Sequence, residues 1–159
     1  MDGLASANRI MAQDTSTAIV LISACDDLAF IRAIMLSGAE SKAYILKTFR
    51  DNIPEFIRVV EAVSGGQSVL HETIIQSLMD IYHRLSDARV TQLTDLEEKV
   101  LRLMLEAYDE TEIAQARQSQ PEQVEVVIAE LVSKLGVVQK EGVRRSPQVV
   151  QAMINICVG

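Results

Sequence analysis

The side chains of this sequence best suited to chemistry are cations near its C-terminus: Lys134, Lys140, Arg144 and Arg145. Such a cluster can grip phosphate through charge-assisted hydrogen bonds, because affinity for a polyanion is dominated by cations that displace its counterions. The plainer alternative is that they solvate a turn around Gly142, ahead of a last helix over 147–156, and both readings stay open. His71 and His83 have no acid-rich or thiol cluster beside them, which favours exposed or partner-facing histidines over metal ligands. Cys25 and Cys157 lie at opposite ends of the chain, without metal-like spacing, and read as small buried hydrophobes of a reducing compartment. There is no serine–histidine nucleophile elbow, Gly-rich phosphate loop or HExxH motif. The expectation is therefore no catalytic residue, no metal, no cofactor and no small-molecule substrate.

Charge argues against the polyanion. The 159 residues carry a net charge of −7 and are 48% hydrophobic, enough to bury a core in one domain or, as expected here, two small lobes. Between Thr91 and Val137 ten acids face four bases, a net of −6, so the stretch following the first ninety residues holds most of the acidity. No apolar run approaches the roughly 18 residues of a membrane span, the longest being Ala18 to Ile22. The opening MDGLASANRI lacks a basic start followed by an apolar stretch, so a cytoplasmic protein without membrane association is expected.

The elements that must position these residues follow from periodicity. TAIVLISA, 17–24, is a continuous apolar run of the kind found in a strand covered on both faces. Asp26-Asp27 offers an N-cap for a helix whose Phe30, Ile31, Ile34 and Met35 recur at helical spacing and stop at Gly38. AYIL, 43–46, predicts a second strand, and 52–63 a second helix with Pro54 in its first turn. Strand, helix, strand, helix predicts a parallel α/β lobe. Gly65-Gly66 then opens a linker with a helix over 74–85.

Beyond it, Thr94 caps a helix to about Ala107 with Leu96, Val100, Leu103 and Met104 inward. Asp109 caps a second helix and Pro121 opens a third, with Val124, Ile128, Leu131 and Leu135 as its buried seam. Adjacent Val126 and Val127 cannot both face one core stripe, so one is exposed and favours a protein partner.

Residues 93–137, by Leu93-Thr94, Glu97, Val100-Leu101, Glu112-Ile113-Ala114, Val124, Leu131 and the closing Lys134-Leu135-Gly136-Val137, resemble the LuxR-type helix-turn-helix of NarL/FixJ-class response regulators. The resemblance implies a transcription factor that binds double-stranded DNA as a dimer through residues 110–137. Its contact positions fall on Thr111, Gln123 and Val127, with Lys134, Lys140, Arg144 and Arg145 as phosphate anchors. Several positions depart from the family: Glu125 stands where a lysine is usual, Thr111 where a second one is common, and Leu96 where an arginine is common. Gln123 can still read adenine, but a glutamate repels phosphate and at best accepts from cytosine.

Residues 1–63, from Met1-Asp2-Gly3-Leu4 onward, resemble the C-terminal part of a phosphoacceptor receiver. Ser23 matches the hydroxyl position, Tyr44 the switch aromatic and Lys47 the phosphoryl-pairing lysine, here read as a vestigial switch. The family's acidic pair and phosphoacceptor aspartate would precede Met1, so phosphotransfer on this chain is not expected.

The fold class expected is thus an α/β partial receiver lobe (1–63), a linker with a helix (64–92) and an all-α LuxR-type helix-turn-helix domain (93–159). Two functions follow: a DNA-binding transcriptional regulator lacking the phosphoacceptor site, or a pseudo-regulator that binds protein without reading bases. An apolar strand deprived of neighbours leaves an open edge, so a homodimer or pairing with another regulator is expected.

Overall fold

Among the described residues, 2–86 and 90–159 of a computed structural model, the apolar periodicities become eight α-helices and three short strands. Met1 and residues 87–89, within the expected linker, lie outside that description. The chain is mostly helical with one small parallel sheet, ordered β1 (Ile19–Ser23), β2 (Lys42–Leu46), β3 (Val69–Leu70). Ile19 pairs with Lys42 and Ala43 with Val69. β2 is central and buries Lys42, Ala43, Tyr44 and Ile45, whereas β1 pairs on one side only and leaves Ile22 exposed.

Local chemistry explains the ends of the first elements. Asp2 caps α1 (Gly3–Gln13) by accepting from the Ala5 amide. Asp27 caps α2 (Leu28–Met35) by accepting from Ala29, the role expected of the acidic pair. Beyond the C-terminal end of α2 the buried Lys42 ammonium, with no carboxylate partner among the described residues, donates to the Ile34 carbonyl at 3.3 Å, Ser37 Oγ at 2.8 Å and the Gly38 carbonyl at 2.5 Å. Burial pushes its pKa down, and these oxygens replace the water it has lost. α3 (Ile53–Ser64) begins with an Asn52 cap and Pro54, and turns Val59 and Val63 onto Ala43, Ile45 and Val69. Its other flank leaves Ile53, Ile57 and Val60 in solvent.

Residues 69–70 add β3, a two-residue strand too short for any periodicity, and α4 (Glu72–Ser86) buries Ile74, Ile75, Leu78, Met79 and Tyr82. α4 contains the helix expected over 74–85, and its apolar positions recur at helical spacing along a stripe that α8 covers.

The remaining helices are α5 (Asp95–Leu105), α6 (Glu110–Ala116), α7 (Pro121–Lys134) and α8 (Arg145–Val158), the last two residues longer at each end than expected. Thr94 and Asp109 each close a capping box, with Glu97 and Glu112 reaching back to the cap amides. α8 packs against α2, α4 and α5, and its Val149, Val150, Met153 and Ile154 are completely buried. One apolar cluster therefore runs from Ile31 in the sheet lobe to Ile154 in the last helix. No helix among the described residues is long and apolar enough to cross a membrane.

Two inward positions and one thiol depart from expectation. Leu96 is 40% exposed and Leu103 only half-buried, while Leu101 and Leu105 are fully buried. The buried stripe of α5 is Glu97, Val100, Leu101, Met104, Leu105, a wide face set by packing against both α7 and α8. Cys25 is exposed in the loop after β1, whereas burial pushes the Cys157 thiol up to about 11. Leu101→Ala is expected to cost about 2–5 kcal/mol in chemical denaturation and Leu96→Ala less than about 0.5 kcal/mol; equal losses would contradict this stripe.

Candidate functional site

The segment expected to be a helix-turn-helix comprises α6 and α7. Ile113 and Ala114 of α6 are buried, and α6 packs against α7. The intervening turn is closed by the Ser119 amide donating to the Ala114 carbonyl at 3.0 Å, with Gln118 at φ 52. Pro121 then starts α7, whose Val124, Ile128 and Leu131 face inward as the spacing predicts. Opposite them, Glu122, Gln123, Val126, Ala129 and Glu130 are exposed. Val126 is 60% exposed and Val127 half-buried, so the expected outward valine is the first of the pair.

The four cations do not form one patch. Arg145, at the start of α8, is locked: Nη1 donates to Glu110 Oε1 at 2.8 Å and Glu125 Oε2 at 2.7 Å, and Nη2 to Glu125 Oε1 at 2.6 Å. This two-toothed pairing holds the N-termini of α6 and α8 to the middle of α7. It lowers the Glu125 pKa, the hydrogen bonds from Arg145 outweighing burial. Lys134 sits nine residues along α7 from Glu125, about 13 Å away by helix rise. Its Nζ donates to Glu97 Oε2 at 2.8 Å and to the Gln92 carbonyl at 3.4 Å.

Burial works to raise the Glu97 carboxyl, but the bonds from Lys134 and the Thr94 amide together hold it below the ordinary range. Its second oxygen is buried without a partner among the described residues, and the partly exposed Lys134 ammonium is engaged within the fold by Glu97 and Gln92. Lys140 and Arg144 are exposed in the turn before α8, where their backbones bond to the Gln148 side chain and the Lys140 carbonyl accepts from the Val143 amide at 3.3 Å. Thr111 is exposed on α6. Gln123 is exposed too, though its amide oxygen accepts from the Gln120 amide at 3.4 Å.

The residues matched to a receiver switch gather at the carboxyl ends of β1 and β2. Ser23 lies opposite Leu46, with Lys47 next along the chain. Tyr44 is buried, its hydroxyl donating to the Cys25 carbonyl at 2.7 Å, and Ser23 Oγ accepts from the Cys25 amide at 3.0 Å. Burial raises the Tyr44 pKa, so both hydroxyl groups serve the loop after β1 while Lys47 stands in solvent.

The histidines are apart. His71 lies edge-on to Phe49 with ring centroids 5.8 Å apart, and its burial lowers its pKa. His83 Nε2 is 2.5 Å from Glu98 Oε1. Among the described residues no group of three histidine, cysteine, aspartate or glutamate side chains is placed to hold a metal ion.

Sequence reading missed the partners of these cations. Glu110 and Glu125 are visible in the sequence only as two acids among ten, because their contacts with Arg145 span 35 and 20 residues. The Lys134–Glu97 pair spans 37. A signal existed for Glu97 alone: a glutamate three residues after a cap, in phase with the buried stripe.

No protein-family model matches the chain, and no curated protein matches it. Among solved structures it is similar to the RcsB response regulator of Salmonella typhimurium, described in terms of conformational dynamism for DNA interaction. That similarity has 21% identity over 98% of this chain and 67% of the other, with a TM-score of 0.41. RcsB dimers bound to two parallel DNAs give 20% identity over 97% and 66%, with a TM-score of 0.39. Full-length FixJ from B. japonicum gives 19% over 97% and 68%, with a TM-score of 0.34. The chain spans about two thirds of the length of each.

The Arg145 lock has a pH signature. A carboxyl lowered in the fold stabilises above its free value of 4.5 and loses that contribution as pH falls through its folded value. Arg145→Ala is therefore expected to lower Tm modestly at pH 7, by an effect worth less than about 1 kcal/mol for these partly exposed groups. The gap from wild type should shrink below pH 4.5. A gap that stays constant in acid would mean that Arg145 acts by packing alone.

Proposed function

We propose that this chain is a response-regulator-like regulator whose α6–α7 unit binds protein rather than reading bases. The observation that carries this reading is the pairing of Arg145 with Glu125 and Glu110. It takes the cation best placed beside the third helix of the motif and spends it on two acids of the same unit. Glu122, Val126 and Glu130 are left outward. An acidic helix with an exposed valine repels phosphate and accommodates an apolar or basic protein surface.

The partner proposed is a second copy or another regulator. Ile22 of the edge strand β1 and Ile53 at the start of α3 are exposed around one apolar pocket, with Ile57 and Val60 exposed farther along α3, and apolar surface there gains roughly 25 cal/mol per Å² when covered. DNA is the second reading. It is favoured by Lys140 and Arg144, which are exposed and make no ion pair with the described residues, and by exposed Thr111 and Gln123. Val127 is half-buried against the core and contributes little to either surface.

Retention of a random duplex pool, sequenced at low and moderate salt, separates the readings. The expected result is no retention even at low salt. An enriched inverted repeat, weakened by salt and by Lys140→Ala/Arg144→Ala, would establish a DNA-reading regulator instead. In sedimentation velocity at low micromolar concentration a dimer is expected, with Ile53→Asp/Ile57→Asp shifting it to monomer; a wild-type monomer would remove the self-association.

A further inference from the structure

Three consecutive residues of the turn between α5 and α6 are each held by the sheet lobe. The Glu106 carbonyl, at the C-terminal end of α5 where backbone acceptors lack helical partners, takes a hydrogen bond from Arg58 Nη1 at 2.9 Å. Arg58 belongs to α3 and is itself braced by Glu55, with Nε at 2.8 Å and Nη2 at 2.6 Å from the same carboxylate oxygen. The guanidinium also lies over the Tyr108 ring, 4.3 Å from its centroid, a desolvated cation–π arrangement.

Between them, Ala107 adopts φ 66, the left-handed conformation in which helices ordinarily end on glycine. The residue is 4% exposed and belongs to the apolar cluster of Ala43, Ile45, Val59, Val63 and Val69, from β2, α3 and β3. An alanine where glycine would relieve the backbone makes sense if its methyl fixes the turn against the sheet.

The turn leads directly into α6. Asp109 is the α6 cap and Glu110 is a partner of Arg145. α6 itself packs chiefly on α7. α8, by contrast, has an independent hold on the lobe: Ser146 Oγ donates to the Ser68 carbonyl at 2.7 Å and accepts from the Ser68 amide at 3.3 Å. The helix also packs on α2 and α4.

We infer that residues 106–108 form a coupling joint in which Arg58 and Ala107 are positioning residues, fixing the N-terminus of α6 to the sheet so that changes at α3 are passed to the α6–α7 surface. The joint acts on that surface whether its ligand is a protein or DNA. Because α8 keeps its own anchor, loosening the joint leaves α8 and the sheet in place, while α6 is then held by its packing on α7 and the Arg145–Glu110 pair.

The test is native-state amide hydrogen exchange on the full chain, comparing wild type with Arg58→Ala, Arg58→Lys and Ala107→Gly. Ala107→Gly relaxes the left-handed residue while deleting the methyl, so its overall unfolding midpoint is expected near wild type. In Arg58→Ala and Ala107→Gly the amides of α6 should exchange about tenfold faster, with those of β2 and α8 unchanged, the pattern of local rather than global opening. Arg58→Lys keeps the charge but loses the planar fork and the stacking, and should fall between. The joint is overturned if α6 protection is unchanged in both variants, or if α6, α8 and β2 lose protection by one common factor. A response to only one of the two variants would overturn the two-residue joint.

Discussion

The burial of α8 is the constraint on which the rest of the structure depends. A parallel sheet of three strands, one of them two residues long, cannot close a core by itself, and neither can the short α6–α7 pair. Val149, Val150, Met153 and Ile154 fill the space between α2, α4 and α5, so the helix-turn-helix and the sheet lobe share apolar contacts rather than meeting across a polar boundary. The Ser68–Ser146 hydrogen bonds supply the polar register at the point where that helix begins. What sequence periodicity presents as an intervening linker is, in the fold, the partner helix against which α8 rests.

With α8 fixed, the electrostatics of the helix-turn-helix follow. Its first turn delivers Arg145 between Glu110 and Glu125, and the end of α7 delivers Lys134 to Glu97. In a segment where acids outnumber bases ten to four, cations that enter the interior or its margins are drawn to carboxylates already held by caps and helix packing. A phosphate would have to displace those carboxylates, which share the fold and are always present. The outward face is then left with Glu122, Gln123, Val126 and Glu130, a surface shaped by what the cations are doing elsewhere. The same helix that completes the core thus decides which charges α7 presents.

Much of the fold was legible because it is local. The caps at Asp27, Thr94 and Asp109 act over two or three residues, and Pro54 and Pro121 mark helix starts by their own ring geometry. The α7 seam repeats within one helix, so spacing alone fixed its inward side. Less was legible of the candidate site: Thr111, Gln123, Lys140 and Arg144 are on the surface as expected, but Lys134 and Arg145 are committed to internal pairs. The misplacement of Leu96 has the same origin. A sequence shows that α5 has an apolar side, while the partners on either flank determine how wide that side is and where it is centred.

The sequence by itself determined where the capped and proline-started helices begin, which residues form the seam of α7 and how acidic residues 91–137 are, since these depend on neighbours within a turn or two. Only the tertiary structure decided which charges cancel and which surfaces remain. The pairs concerned, Arg145 with Glu125, Arg145 with Glu110 and Lys134 with Glu97, join residues 20, 35 and 37 positions apart. No local pattern encodes which of many acids a cation will meet. That choice is made when the apolar stripes of α4, α5 and α8 lock together, because burial fixes the backbone positions from which each charged side chain must find its partner.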